Sequence, residues 1–161
     1  MSAFPTEFEQ LITDAAQRHA LPPKLVHAVV QKESSGNPWS TRYEPGFYTR
    51  YIAGKNVVHP RPPCSQSTEA TLMATSFGLM QVMGATARDM GFDGTFLTAL
   101  CDPFTGLEYG CRYLRSLIQR YGWDQRAGVA AYNAGSAVRK PDGTFKNQDY
   151  VDAIAKFGGF S

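Results

Sequence analysis

The chain has 161 residues, 43% of them hydrophobic and 19% charged, which suits one good core and is too short for two ordinary domains. Its formal net charge of +2 is too small to indicate nucleic acid as a partner. No apolar stretch approaches the roughly 20 residues of a membrane span, and the first residues lack a signal-peptide pattern, so we expect neither feature.

The cysteines and histidines indicate neither a disulfide framework nor a metal site. Cys64, Cys101 and Cys111 are an odd set, unlike the cysteines of a small secreted domain. We expect Cys101 and Cys111 to be core thiols and Cys64 to lie in a loop. The three histidines form no zinc-binding pattern, and no phosphate-binding glycine motif or serine-nucleophile motif occurs. The sequence therefore predicts no metal and no cofactor.

Hydrophobic spacing predicts a mainly α protein. Apolar residues recur at helical intervals along most of the chain, and proline, glycine and asparagine stand where those intervals break. The predicted helices cover about 5–19, 21–36, 69–75, 76–91, 102–121, 124–133 and 147–157.

An irregular, aromatic-rich insert is predicted for about residues 39–75. It is rich in proline and glycine, and its aromatic residues include Tyr43, Phe47, Tyr48 and Tyr51. Long loops in compact domains are usually functional. The aromatic side chains either pack the insert onto the domain or offer stacking surfaces to a ligand.

Glu33 stands in the last turn of the second predicted helix, before a Ser-Ser-Gly-Asn-Pro sequence that ends the helix. Counting back at helical spacing finds Val26, Val29 and Val30 on roughly the same side. A helix C-terminus and apolar walls both disfavour a carboxylate, so we expect a raised pKa for Glu33, as a general acid requires. Taken alone, Glu33 also fits a solvated helix end.

Three short motifs follow in the order Glu33-Ser34-Ser35-Gly36-Asn37-Pro38, Gly78-Leu79-Met80-Gln81 and Ala131-Tyr132-Asn133-Ala134-Gly135. Together they resemble the lytic transglycosylases of the soluble-lytic-transglycosylase type, which are related in fold to goose-type lysozyme. Each motif alone is weak, whereas all three in this order are specific. The resemblance covers about residues 21–157 and implies one lysozyme-like domain, 1–161, with a substrate cleft.

The same resemblance implies the chemistry. The family cleaves the β-1,4 bond between N-acetylmuramic acid and N-acetylglucosamine in peptidoglycan, and Glu33 matches its single catalytic acid and base. The 2-acetamido group of the substrate can replace a second carboxylate, which gives a 1,6-anhydromuramic acid product without hydrolysis. The implied substrate-binding residues are Ser34, Met80, Gln81, Tyr132 and Asn133.

Most of these residues also have a structural interpretation. Met80 and Gln81 would line the glycan groove, but Met80 equally fits a helix core. Tyr132 would hold the carboxyl group of Glu33 or be a buried aromatic. Asn133 would bind substrate near the cleaved bond or cap a helix, and Ser34 would contact substrate or end one.

Two departures from the family pattern bear on the outcome. Gly84 stands where many relatives have proline, and the segment 42–75 is longer than in the simplest members. That segment contains Glu44 and Glu69, and a second carboxylate across the cleft would position water and make the enzyme a true hydrolase. This muramidase activity is one alternative. A non-catalytic glycan-binding module is another.

The expected partner is the glycan strand of peptidoglycan, and the expected state is a monomer. The first residues show no signal-peptide pattern, so we expect the protein to be made in the cytoplasm. It would act on the cell wall after release or export, as a phage lysis enzyme (endolysin), a virion enzyme or a secretion-system component does.

Overall fold

The structure is a computed structural model that describes residues 6–161, with side chains from Phe8 onward. The α-helices of more than one turn in this range are α1 (Thr6–Arg18), α2 (Pro23–Ser34), α3 (Gln66–Met73), α4 (Gly84–Asp89), α5 (Pro103–Arg120), α6 (Gln125–Ala134) and α7 (Gln148–Lys156). A short 3-10 helix spans Leu97–Cys101. The mainly α class predicted from the sequence is confirmed. Among the described helices, none has the length and apolar character needed to cross a membrane.

Three short strands form one antiparallel sheet in the order β1-β2-β3. They are β1 (Thr41–Tyr43), β2 (Thr75–Phe77) and β3 (Val82–Met83). In the register of the sheet, Phe77 lies opposite both Thr41 and Val82. The sheet brings part of the predicted insert alongside the Gly78-Leu79-Met80-Gln81 motif.

The chain divides into two compact units. The first unit is built from residues up to Gly36 together with Cys111–Ser161, and the second from Asn37–Gly110. Helix α5 begins in the second unit and ends in the first. The single domain that the sequence suggested for 1–161 stays a prediction.

In the first unit, α2 packs against α1 and α7, and α6 packs against α7. The apolar side of α2 is fully buried at Val26, Val29 and Val30, as the sequence predicted. Burial of each such side chain contributes about 1.5–3 kcal/mol. Helix α6 approaches α5 closely because Gly128 faces Ile118, and a Cβ added at Gly128 would overlap that residue. This packing fixes the positions of α2, α6 and α7 within the first unit.

Local capping sets where α5 and α6 begin. Asp102 accepts hydrogen bonds from the backbone N–H and the hydroxyl of Thr105, at 2.9 and 2.8 Å. Asp124 accepts one from the backbone N–H of Ala127 at 3.0 Å. Both helices therefore begin within a residue of their predicted starts. The predicted start of α1, at about Pro5, lies outside the described residues.

The helix predicted for 76–91 is wrong in its first half. Residues 75–83 form β2, a tight turn and β3, and α4 begins only at Gly84. Gly78 and Gln81 have φ angles of +78° and +50°, which a right-handed helix excludes. The N–H of Gly78 donates to the carbonyl oxygen of Ser40 at 2.8 Å, a contact far away in sequence. Met80 accordingly lies in a turn, and not on a helix face.

The segment 39–75 is more regular than the sequence predicted. It contributes β1 to the sheet, and residues 45–52 form consecutive helical turns. Helix α3 begins at Gln66, three residues before the start that the sequence suggested. The greater length of this segment relative to simpler family members stays a prediction.

All three cysteines are buried, and none of them forms a disulfide. Cys111 lies in the first unit, whereas Cys64 and Cys101 lie in the second. Burial also raises the pKa of the Cys101 thiol. The expected core positions of Cys101 and Cys111 are confirmed, and Cys64 is as buried as they are.

Candidate active site

Glu33 lies in the last turn of α2, as predicted, and is partly exposed. The next residue, Ser34, uses its hydroxyl to close the helix. Its Oγ donates to the carbonyl oxygen of Val30 and accepts from the N–H of Gly36, both at 3.2 Å. Ser35 then leaves the helix in a left-handed conformation with a φ of +51°. Of the two roles that the sequence allowed for Ser34, the structure shows the helix-ending one. Its contact with substrate stays a prediction.

The carboxyl group of Glu33 is bound by a tyrosine of α7. The hydroxyl of Tyr150 donates a hydrogen bond to Oε1 of Glu33 at 2.5 Å. Tyr150 is buried, and the packing of α7 against α2 brings its hydroxyl to the helix end. Because the burial of Tyr150 fixes its hydroxyl, this hydrogen bond orients the Glu33 carboxyl group.

Tyr132 of α6 also lies close enough to Glu33 to feel its charge. The pKa of Tyr132 is well above its usual value because of burial first, then the negative charge of Glu33, then Cys111 and Tyr113. Its ring packs against that of Tyr113, with centroids 5.4 Å apart. The pKa of Tyr150 is likewise raised, by burial, by the charge of Glu33 and by their hydrogen bond. Both tyrosines therefore keep their protons at physiological pH.

Sequence reasoning identified Tyr132 as the residue near Glu33 and missed Tyr150. It placed Tyr150 only as an inward residue of the last helix, with Val151 and Ile154, and all three are buried. The available signal was the hydroxyl itself, because a buried tyrosine needs a hydrogen-bond partner. Periodicity alone does not indicate which carboxylate that partner is.

Asn133 of α6 is exposed and is hydrogen-bonded to Asn147, the residue that precedes α7. Nδ2 of Asn147 donates to Oδ1 of Asn133 at 2.9 Å and to the carbonyl oxygen of Ala130 at 3.0 Å. The helix cap at this end is supplied by Gly135, whose N–H donates to the carbonyl oxygen of Ala131. Asn133 is therefore left with its side chain at the surface, in keeping with its predicted role in substrate binding, which stays a prediction.

Two predicted binding residues, Met80 and Gln81, lie in the turn between β2 and β3 in the second unit. Met80 is completely buried, and a Cβ added at Gly110 would overlap its side chain. The structure thus gives Met80 the core role and corrects the prediction that its side chain lines an open groove. Nε2 of Gln81 donates to the carbonyl oxygens of Ser40 and Gly78, at 2.8 and 3.0 Å, and holds the turn.

Glu69, one of the two possible second carboxylates, is corrected to a structural residue. It is 1% exposed, and its two oxygens accept from Nε and Nη2 of Arg88 at 2.7 and 3.1 Å. The same guanidinium donates to the carbonyl oxygens of Phe92 and Gly94 at 3.0 and 2.7 Å. A buried carboxylate engaged by a guanidinium fork has no oxygen left to position water.

Glu44, the other candidate, is near the surface of the second unit. Its Oε1 lies 2.8 Å from Nε of Arg42, with 32% of the Glu44 side chain and 75% of the Arg42 side chain exposed. An exposed pair of this kind exchanges readily with water. Glu44 therefore remains a candidate by accessibility, while its catalytic role stays a prediction.

Comparisons with known proteins agree with the mainly α fold. The sequence matches the family described as "Transglycosylase SLT domain" over residues 10–153. It is 29% identical over 127 residues to the transglycosylase of Enterobacteria phage PRD1, covering 79% of this chain and 34% of the phage protein. The structure is similar to an inactive mutant of lytic transglycosylase Slt from Pseudomonas aeruginosa, with a TM-score of 0.59, 14% identity and coverage of 92% of this chain and 22% of that one.

The structural likeness places this chain in the class of mainly α proteins with the lytic transglycosylase fold. The match over residues 10–153 is more specific, and the chain belongs to the transglycosylase SLT domain family. It spans about a third of the length of the phage relative and about a fifth of Slt.

Proposed function

We propose that this chain is a peptidoglycan lytic transglycosylase with Glu33 as its general acid and base. It would cleave the β-1,4 bond between N-acetylmuramic acid and N-acetylglucosamine and leave a 1,6-anhydromuramic acid end. The observation that carries the proposal is the Glu33 carboxyl group at the end of α2, bound by the hydroxyl of Tyr150. Membership of the SLT family supports the reaction class.

The neighbours of Glu33 suit a group that changes protonation state during the reaction. Tyr150 and Tyr132 carry neutral hydroxyl groups whose raised pKa values keep them protonated. A hydroxyl group can donate to a carboxylate and can accept from a carboxylic acid, so the bond from Tyr150 is available to both forms of Glu33. Glu33 is thus oriented throughout, and it is the group that gives and takes the proton.

In the first step, protonated Glu33 gives its proton to the glycosidic oxygen, and the bond from that oxygen to C1 of muramic acid breaks. The 2-acetamido group of the same sugar stabilises the positive charge at C1, so one carboxylate suffices. In the second step, the Glu33 carboxylate removes the proton of the 6-hydroxyl while O6 bonds to C1. One C–O bond replaces another, Glu33 regains its proton and no water is consumed.

We further propose that Gln81 and Asn133 bind the glycan. Nε2 of Gln81 is already engaged with two backbone carbonyls, so its Oε1 is the atom that would accept from a sugar N–H or hydroxyl. Asn133 is exposed beside Tyr132 in the chain. Met80 would act indirectly, because its buried side chain supports the turn that carries Gln81.

The alternative of hydrolysis now depends on Glu44. Glu69 is buried against Arg88, whereas Glu44 keeps a partly exposed carboxylate that could hold a water molecule. A water-positioning base of this kind is what a muramidase outcome requires. The two outcomes differ in their products by one molecule of water.

The test is mass spectrometry of the soluble fragments released from purified peptidoglycan. Three proteins are compared: wild type, Glu33→Gln, and Glu44→Gln as a control with the same chemical change at another carboxylate. We expect anhydro-muropeptides from wild type and from Glu44→Gln, and a loss of at least about a thousandfold in Glu33→Gln, as for removal of an essential acid–base group.

Other products would contradict the proposal in identifiable ways. Reducing-end fragments one water heavier, lost in Glu44→Gln, would establish a muramidase. Full activity of Glu33→Gln would refute the assignment of the acid. No fragments from any protein, combined with glycan binding, would favour a non-catalytic binding module.

We also propose that the protein acts on the cell wall after release or export from the cytoplasm. The transglycosylase of phage PRD1 among its relatives supports a phage setting such as host lysis or cell entry. Bacteria producing the protein in the cytoplasm should keep growing, whereas bacteria that export it to the periplasm should lyse. Lysis in both cases, or in neither, would contradict this proposal.

A further inference from the structure

The orientation of the half-buried Asn147 side-chain amide is set by the backbone. The carbonyl oxygen of Ala130 can only accept hydrogen bonds, so the atom of Asn147 that lies 3.0 Å from it must be the nitrogen. The second N–H of that nitrogen reaches Asn133 at 2.9 Å, and the atom it meets must be an acceptor. The Asn133 atom that faces Asn147 is therefore Oδ1.

The reverse orientation of Asn147 is much less favourable. It would bring Oδ1 to within 3.0 Å of the Ala130 carbonyl oxygen, so that two acceptors face each other. It would also place the amide nitrogen where Oδ1 now lies. That position is buried, and Oδ1 accepts no hydrogen bond there from any residue of the described part of the chain. Two buried N–H groups without acceptors cost more than one buried oxygen without a donor.

The fixed orientation determines what Asn133 shows to solvent. Its Oδ1 is used by Asn147, so its amide nitrogen points away from Asn147. Asn133 is exposed, and within residues 6–161 its Nδ2 donates to no other group. The side chain of Asn133, next to Tyr132 in the chain, therefore directs its two N–H groups to solvent and its oxygen to Asn147.

We propose that Asn147 is a positioning residue that fixes Asn133 as a donor to an N-acetyl carbonyl oxygen of the glycan. The inference rests on the proposed function, because the ligand is the same glycan strand. It adds that Asn133 recognises the acetyl groups, and that Asn147, which lies outside the three sequence motifs, makes this recognition possible.

Sugar chemistry decides which group a fixed donor selects. A hydroxyl group can donate or accept, so it adapts to either orientation of an amide. An acetamido carbonyl only accepts, and the ammonium group left by N-deacetylation only donates. Two N–H donors therefore pair with the acetylated sugar and are left facing another donor in the deacetylated one. Specificity of this type arises because the wrong ligand leaves polar groups unpaired.

The test measures binding in a Glu33→Gln background, where no cleavage occurs. The two probes are a tetrasaccharide of alternating N-acetylglucosamine and N-acetylmuramic acid, and the same tetrasaccharide without its acetyl groups. We expect the background protein to bind the acetylated probe at least about tenfold more tightly, the size of one unpaired hydrogen-bonding group.

Three added substitutions separate positioning from simple support of the fold. Asn147→Leu releases Asn133 to rotate, so the preference for acetylated probe should fall toward parity. Asn147→Asp offers only acceptors, so Asn133 should turn its nitrogen inward and show its oxygen, which should reverse the preference. Asn133→Asp should also reverse it. Ser136→Asp adds the same charge at an exposed residue nearby and should leave the preference unchanged.

Other results would overturn the inference. Unchanged preference in both Asn147 variants, with folding verified by circular dichroism, would show that Asn147 does not set the polarity of Asn133. A reversed preference in Ser136→Asp would show that added charge alone is the cause. Cleavage of peptidoglycan by wild type together with equal binding of both probes would refute this inference and leave the proposed function standing. Absence of both binding and cleavage would refute both.

Discussion

Glu33 in the first unit and Glu69 in the second are both bound by side chains of their own unit, but they differ in burial and in the charge of the partner. Glu33 in the first unit is partly exposed and receives a hydrogen bond from the neutral hydroxyl of Tyr150. Glu69 in the second unit is buried and is held by both arms of the Arg88 guanidinium. The same side chain thus has our proposed role in proton transfer in one unit, and in the other it is buried in an ion pair that supports the fold.

The two carboxyl groups differ in their partners, and we expect this difference to decide what each of them can do. Two nitrogens of the Arg88 guanidinium donate to the two oxygens of Glu69, and the two side chains form a buried ion pair. A hydroxyl partner leaves the carboxyl group free to gain and lose a proton. Four sets of variants test this contrast, taken here from the largest expected effect to the smallest.

Glu69→Gln should lower the free energy of unfolding by about 3–5 kcal/mol, because it leaves the Arg88 charge buried without its partner. Urea unfolding followed by circular dichroism measures this loss. The double variant Glu69→Met with Arg88→Met should recover part of the stability, since it removes both charges. A loss below about 1 kcal/mol in Glu69→Gln would show that the pair is not structural.

Tyr150→Phe should reduce kcat/KM on peptidoglycan by about tenfold to a hundredfold, because the Glu33 carboxyl group loses its orienting bond. It should destabilise the fold by only about 1 kcal/mol, the typical value of one hydrogen bond. Tyr121→Phe is the matched control, since the hydroxyl of Tyr121 accepts from the N–H of Ala137 at 3.0 Å in the same unit. Equal losses of activity in both variants would mean that Tyr150 acts through the fold.

Arg42→Gln should change the free energy of unfolding by less than about 1 kcal/mol, because its pair with Glu44 is largely exposed. The small effect should shrink further at high salt. Urea unfolding at two salt concentrations measures it. A loss as large as that of Glu69→Gln would contradict the view that burial separates the two ion pairs.

His27 of α2 should have the smallest effect on stability. It concerns the pH dependence of stability, whereas the role proposed for Glu33 concerns the pH dependence of activity. Its pKa is lowered from 6.5, mainly by burial and against the opposing charge of Glu9. The unfolded chain therefore binds a proton more readily, so stability is complete above pH 6.5 and falls as pH drops below it. Unfolding measured between about pH 7.5 and 5 should show this slope, and His27→Gln should reduce it. If the slope of stability against pH is unchanged in His27→Gln, other titrating groups cause that slope.

Local sequence signals predicted the position of Glu33 well. Proline at the start of α2 and the Ser-Ser-Gly-Asn-Pro sequence at its end act on neighbouring residues only, and they place Glu33 in the last turn. The capping residues Asp102 and Asp124 worked in the same way for α5 and α6. These elements depend on contacts within three or four residues, which a sequence shows directly.

Contacts between residues that are far apart in the sequence could not be predicted from these local signals. The hairpin at Gly78 and Gln81 replaced a predicted helix because both residues bond to the backbone of Ser40, about 40 positions earlier. Tyr150 meets Glu33 across 117 positions, and Arg88 meets Glu69 across 19. A hydrophobic pattern identifies each of these residues as inward-facing, but the pattern carries no information on which partner it meets.

The buried thiols provide a built-in way to follow the opening of each unit. A thiol reagent reacts with the thiolate of an accessible cysteine, so Cys111 is labelled only when the first unit opens, and Cys64 and Cys101 only when the second does. Variants that keep one cysteine each would report labelling rates under native conditions. Those rates would give the local opening free energies of the two units separately, without denaturant.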